Sequence, residues 1–347
     1  MDILLIGNGF DLAHGLPTKY QDFLAFTKNP TSDIESAYKY WNTVTMLLHS
    51  KNFAVPWQFR ALEAYHQNPP VFSSNTSGCA PLLQYLKTVS QIQLWVDFET
   101  EIQKIVELII TPERKVDKSL LDLDFYLRLD TNESLQYLDL HIQDLLKLMM
   151  LYYGAIIPSK GINQYPAWLY QKEFSHLITF NYTDTFRQVI ERLNIQTFPK
   201  SENCQFIHGT IAPSSTEIGS GPLHNMVLGF TSKNPDDLRT VRFQKYFQRI
   251  QKRTGIQYRN WVVHNSPYDS TLTIMGHSCD PTDGDALRHL IVNTDETNVY
   301  YFDQADYERK ITNFIALFGA DTFQEYYYSE KIKFIKQPAS VPFPPNT

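Results

Sequence analysis

Cysteine is scarce. The 347-residue chain carries three, Cys79, Cys204 and Cys279. An odd, widely separated set excludes a disulfide framework and fits a reducing compartment. No two cysteines stand in C-x-x-C spacing, which excludes a zinc ribbon. No His, Asp or Glu cluster shows ligand spacing, so no metal centre is expected. The N-terminus lacks a basic leader, so no signal peptide is visible and a cytoplasmic protein is expected. Long apolar runs are also missing. The most apolar stretch, 145–157, is short and interrupted by Lys147, so it predicts a core helix rather than a membrane span. There is no internal repeat. Basic residues are not in excess: 31 Lys and Arg stand against 37 Asp and Glu, a net charge of -6. Nonspecific coating of nucleic acid is therefore not expected, although a local basic groove stays open. Finally, the dinucleotide fingerprint is incomplete. The third glycine of G-x-G-x-x-G falls on Leu12, and no strand with an acidic end follows about twenty residues on, which disfavours an ordinary nucleotide-dependent dehydrogenase.

What is present begins at once. Ile3 to Ile6 form an apolar run of the kind that makes a strand buried on both faces of a parallel sheet. Gly7 and Gly9 allow a tight turn and close backbone approach. A helical pattern follows, with Asp11 as its expected cap. Strand, turn and helix start predict an anion site, with phosphate as the natural ligand; a ligand-free βα turn is the alternative.

The α/β character then breaks off. The spacing predicts helices over 18–27, 34–49 and 57–66, a loop over 67–80, and further helices from near Pro81, near Gln93 and near Asp117. Residues 132–134 read as a break before another helical run. Residues 28–165 are thus expected to be a helical insertion over the sheet. Strands are expected again at 176–180, 205–207, 226–228, 271–275 and 298–302, with a helix at 236–252 and a closing helix at 305–318. The expected organisation is a Rossmann-like α/β domain of 1–27 and 166–337, the insertion, and a loose tail at 338–347.

Ligands of open α/β sheets bind beyond the carboxyl ends of the strands. Residues 7–11, 181–184, 208–209 and 276–283 all follow candidate strands at that end. His208 has the titration range of a general base, or bonds loop backbone. Asn181 offers both donor and acceptor, or caps the helix starting near Asp184. Glu99 lies on the same helical face as Trp95, Ile102, Val106 and Ile109, so it either pairs with an Arg or Lys or faces a pocket. His14 and His277, beside the glycine turns, either face the cleft or bond structurally. Arg242, Lys245, Arg249 and Lys252 share one helix face, read as a phosphate patch or a solvated surface.

The segments Ile-Gly-Asn-Gly-Phe-Asp-Leu-Ala-His-Gly-Leu-Pro, Trp95-Val96-Asp97-Phe98-Glu99, Thr179-Phe180-Asn181-Tyr182-Thr183-Asp184, Ile207-His208-Gly209 and Gly276-His277-Ser278 together resemble the bacteriophage abortive-infection AbiH family. More distantly, their order resembles the sirtuin-like NAD-binding fold. That resemblance implies Asn181 and His208 as catalytic residues, with Asp184 beside them. It implies Gly7, Gly9 and Asp11 at the cofactor loop and Gly276 and Ser278 at the ribose-side turn; Asn8, Phe10, His14, Gly209, His277 and Asp283, beside these motifs, are also expected around the nucleotide. The sirtuin zinc module is absent, and Asn181 and Asp184 are three apart rather than two. These departures weaken protein deacetylation more than NAD cleavage.

The expected function is an anti-phage effector that binds NAD or a related nucleotide and cleaves its nicotinamide–ribose bond without a metal. A phage-derived trigger and a homo-oligomer are compatible with this. The alternatives are a module that holds a nucleotide such as NAD or a cyclic ADP-ribose without turnover, and a nucleic-acid-targeting toxin.

Overall fold

The structure is a computed structural model and describes residues 1–51, 55–67, 80–92, 97–111, 123–211, 225–231, 237–255, 257–262 and 269–344. Its contacts divide the chain into two units. One comprises Met1–Leu16, Ile162–Val227 and Arg249–Thr347; the other comprises Pro17–Gly161 and Leu228–Gln248.

The first unit is built on strands β1 (Asp2–Ile6), β3 (His176–Thr179), β4 (Cys204–Phe206), β5 (Thr271–Met275), β6 (Glu296–Tyr301) and β7 (Ile332–Lys336); a separate short pair joins β2 (Gln164–Tyr165) to β8 (Val341–Pro342). The six form one sheet in the order β4-β3-β1-β5-β6-β7, and every pairing is parallel. Counted along the chain, this is third-second-first-fourth-fifth-sixth, the order of doubly wound Rossmann sheets. β1 lies at the centre, and Ile3 to Ile6 are buried, as the unbroken apolar run requires. Ile3, Leu5 and Ile274 share a core with Leu287, Leu290 and Phe314 from the helices Gly284–Asn293 and Gln304–Phe318. Each such burial contributes about 1.5–3 kcal/mol.

Several expectations need correction. The apolar run 226–228 is buried but is not a strand. The Val227 amide donates to the His208 carbonyl at 2.8 Å, and its carbonyl accepts from the Tyr182 hydroxyl at 2.6 Å. In the second unit, Gln248 accepts from the Leu228 amide and donates to its carbonyl, both at 3.0 Å. Side chains thus satisfy backbone groups that a ladder would otherwise satisfy. The helix 305–318 does not close the domain, because helix Ala320–Tyr328 and β7 follow it. The tail is not loose through residue 343: β8 pairs with β2, Ser340 donates to the Ala13 carbonyl, and the Phe343 amide donates to Asn163.

The second unit is helical, with helices Tyr20–Lys28, Thr31–His49, Trp57–Gln67, Ala80–Ile92, Phe98–Ile110 and Thr131–Leu151. It starts at Pro17 rather than 28, and it takes in Leu228–Gln248 as well. Residues 132–134 are the first turn of a helix capped by Asp130, which accepts from the Asn132 and Glu133 amides. The apolar stretch continues through a π-helical turn, Tyr152–Ile156. The expected loop at 68–79, Trp95 and the helix start near Asp117 lie outside the described residues. No helix among the described residues is long and apolar enough to cross a membrane.

Candidate functional site

In a doubly wound sheet the strand order reverses between the first and fourth strands, here β1 and β5. The segments after both strands meet there. Gly7 is the N-cap of the short helix Asn8–Ala13, in extended backbone, and its amide donates to the Met275 carbonyl at 3.1 Å. The Gly9 amide donates to the Gly276 carbonyl at 2.7 Å, and the Phe10 amide to the Gly7 carbonyl at 2.8 Å. A Cβ on Gly9 would stand 2.6 Å from the Gly276 Cα, and Gly276 itself has φ +68. The glycines therefore serve a crossing of two backbones. This corrects the expected anion cradle, because the amides of Gly7, Gly9 and Phe10 are already engaged by protein carbonyls. Asn8 and Gly9 are half-buried, and Phe10 is fully buried against His14, with ring centroids 4.3 Å apart.

Asp11 does not cap the helix. It is buried, and its Oδ2 accepts from the Thr183 hydroxyl at 2.5 Å, while Oδ1 accepts no hydrogen bond among the described residues. Burial pushes its carboxyl up to about 6, against the lowering effect of the Thr183 hydrogen bond. His14 is structural. Its Nδ1 donates to the Phe10 carbonyl at 2.7 Å, so its Nε2 accepts from the Tyr170 hydroxyl at 2.9 Å. Burial pulls this imidazole down to about 4.

Asn181 follows β3 and is buried. Its Nδ2 donates to the Gly7 carbonyl at 3.0 Å, tying the end of β3 to the turn after β1 rather than capping a helix. Asp184 precedes helix Thr185–Leu193 without a side-chain cap, and it accepts from Gln188 at 3.2 Å.

His208 follows β4, and His277 follows β5. Both are buried, and both face Asp283, at the start of helix Gly284–Asn293. His208 Nε2 lies 2.9 Å from Asp283 Oδ1, and His277 Nε2 lies 3.4 Å from Oδ2. The Phe180 ring packs edge-on against both imidazoles, at 5.1 and 4.4 Å between centroids. Gly209 is buried, with its amide on the Phe206 carbonyl, whereas Ser278 is exposed. The carboxyl ends of β1, β3, β4 and β5 thus carry a buried polar group of Asp11, Asn181, Thr183, His208, His277 and Asp283. All six lie in the segments that follow the candidate strands, and only the fold shows that Thr183 is the partner of Asp11.

Two other candidates resolve within the helical unit. Glu99, on helix Phe98–Ile110, is paired with Lys245, whose side chain is fully buried, at 2.6 Å. The same helix buries a second carboxylate that the sequence reading missed. Glu101 accepts from the Tyr85 hydroxyl at 2.6 Å and from Lys104 at 2.7 Å. The basic face is not one continuous patch, because Lys245 and Arg249 are buried in ion pairs whereas Arg242 is exposed. Lys245 holds Glu99, and Arg242 stands 3.6 Å from Asp139. In the sheet unit, Arg249 makes a two-pronged pair with Asp285 at 3.0 Å, and Lys252 donates to the Met226 carbonyl. The expected helix over 236–252 is a 3-10 turn, Val241–Phe243, followed by a helix at Lys245–Lys252.

A family model described as "Bacteriophage abortive infection AbiH" matches residues 3–304. No curated protein matches the chain.

Proposed function

The chain belongs to the bacteriophage abortive infection AbiH family, and from that premise we propose that it acts by binding NAD or a related nucleotide over the carboxyl ends of β1, β3, β4 and β5 and hydrolysing its nicotinamide–ribose bond. The observation that carries this reading is a coincidence of place. The switch point of a doubly wound sheet, where dinucleotides bind in such folds, is also where Asn181, His208 and Asp283 are gathered. The resemblance of the motif order to the sirtuin-like fold adds to it.

The chemistry asks for little more. The C–N bond breaks with its electron pair leaving on neutral nicotinamide, and positive charge grows on the ribose carbon. A water oxygen bonds to that carbon, and its proton passes to His208 as general base. Asn181, uncharged and fixed by the Gly7 carbonyl, orients water or ribose without favouring either charge state.

One observation favours a second reading, a module that holds a nucleotide without turnover. Asn181 Nδ2 and His208 Nε2, on the two side chains proposed for turnover, are engaged by protein oxygens. The toxin reading loses part of its sequence support, because Lys245 and Arg249 of the basic face are buried in ion pairs.

Nicotinamide release from NAD, by protein alone and with phage components, tests the proposal. His208→Ala should lower the rate by about 10²–10⁴ while NAD still binds. Normal release by folded His208→Ala refutes the mechanism. Binding without release by the wild type under every condition supports the second reading.

A further inference from the structure

We propose that Asp283 is a positioning residue that fixes His208 as the Nε2–H tautomer, leaving the lone pair on Nδ1, with His277 as the fixed second partner of the same carboxylate. Its catalytic consequence rests on His208 being the base of the proposed reaction. The tautomer assignment itself does not.

An ionised carboxylate only accepts. His208 Nε2 stands 2.9 Å from Asp283 Oδ1, so this nitrogen carries the proton. His277 is settled independently. Cys279 sits in left-handed backbone, φ +58, and its amide donates to His277 Nδ1 at 2.9 Å. A nitrogen that accepts from an amide has no proton, so neutral His277 carries its proton on Nε2, facing Asp283 Oδ2 at 3.4 Å. One carboxylate therefore accepts the His208 Nε2–H on Oδ1 and faces the His277 Nε2–H on Oδ2 at ion-pair distance. The Phe180 ring against both imidazoles restricts their rotation. Asp283 is thus assigned to the histidines rather than to the nucleotide.

The arrangement makes an asymmetric prediction for Asp283→Asn. An amide offers one acceptor oxygen and one donor nitrogen where the carboxylate offered two acceptors. His277 is held by the Cys279 amide, so it keeps its Nε2–H and takes the oxygen. His208 then faces the amide N–H₂ and must accept at Nε2, so its proton moves to Nδ1. The substitution therefore switches His208 alone. It is isosteric and removes no helix cap, because the Asp283 side chain caps nothing in helix Gly284–Asn293.

Long-range ¹H–¹⁵N correlation spectra at pH 8 read the tautomers directly, with signals assigned from His208→Gln and His277→Gln. The expected wild-type result is Nε2–H on both rings. The expected Asp283→Asn result is Nδ1–H on His208 and unchanged His277. A wild-type His208 protonated on Nδ1, or on both nitrogens, overturns the proposal, and this arm stands even if the variant fails to fold. An unchanged His208 in the folded variant overturns it too.

Where nicotinamide is released, Asp283→Asn should lower kcat by about 10²–10⁴ with KM nearly unchanged, the signature of a misplaced base rather than a lost binding contact. The predicted tautomers in a protein that releases no nicotinamide would support the positioning role and count against NAD cleavage. Nicotinamide release with the opposite tautomer would do the reverse.

Discussion

Asp11 offers the sharpest test of the buried cluster, because burial has a sign. Its carboxyl is raised from 3.8 to about 6, first by desolvation. The folded protein therefore holds this proton over a pH range where the unfolded chain has released it. Stability from this group is full below pH 3.8 and is lost as pH rises to 6. At 1.36 kcal/mol per unit, the loss by neutral pH is about 3 kcal/mol. His14, three residues on, does the opposite. Its imidazole is pulled from 6.5 to about 4 by burial, so stability is lost as pH falls through that window, again by about 3 kcal/mol. The two effects overlap and nearly cancel in the wild type. Asp11→Asn keeps the size and an acceptor for the Thr183 hydroxyl but removes the titration. The variant should gain about 3 kcal/mol relative to wild type between pH 4 and pH 7, through the Asp11 linkage alone. Urea unfolding of both proteins across this range measures the difference. A fixed offset from the new amide does not affect the result, because the slope is what is read. A difference that stays constant with pH refutes the burial of a titrating Asp11.

Two further outcomes follow from packing. Gly9→Ala should destabilise the fold by about 1–3 kcal/mol, because its methyl would meet the Gly276 backbone at 2.6 Å; an unchanged melting temperature would refute the crossing. Glu99→Gln should lower stability by about 3–5 kcal/mol by leaving the Lys245 ammonium without its countercharge, and pairing Glu99→Leu with Lys245→Met should recover most of that loss. Changed nicotinamide release with unchanged melting would instead make Glu99 a ligand residue.

Much of the sheet is legible in the sequence, for physical reasons. β1 and β5 are buried on both faces, so their apolar runs are unbroken, and the polar segments after them stand out by contrast. β7 is less visible. It is a half-exposed edge strand, Ile-Lys-Phe-Ile-Lys, without the unbroken apolar run that marks a central strand. The run 226–228 misleads in the other direction, because burial gives the same composition whether the backbone is satisfied by a ladder or by Tyr182, Lys252 and Gln248. Glu99 and Lys245 illustrate the main limit. Each is conspicuous in the sequence, one as a carboxylate on an apolar face and the other in a basic stripe. Nothing local joins residues 146 positions apart, so one buried ion pair reads as two separate surface or site candidates.

The glycine turn is ambiguous in a deeper way. A phosphate cradle and a crossing of two backbones both exclude Cβ, so Gly7, Gly9 and Gly276 look the same in sequence under either use. The direction of the amides separates them. In a cradle the N–H groups point at the ligand; here those of Gly7, Gly9 and Phe10 point at the carbonyls of Met275, Gly276 and Gly7. Asp11, just behind this turn, is buried with its carboxyl on the Thr183 hydroxyl. The case for a ligand at this edge of the sheet therefore does not rest on the glycines that first draw attention to it. It rests on the side chains that the crossing holds in place. Joining the turns after β1 and β5 fixes the Gly7 carbonyl that orients Asn181, and Gly276, whose neighbour His277 shares Asp283 with His208.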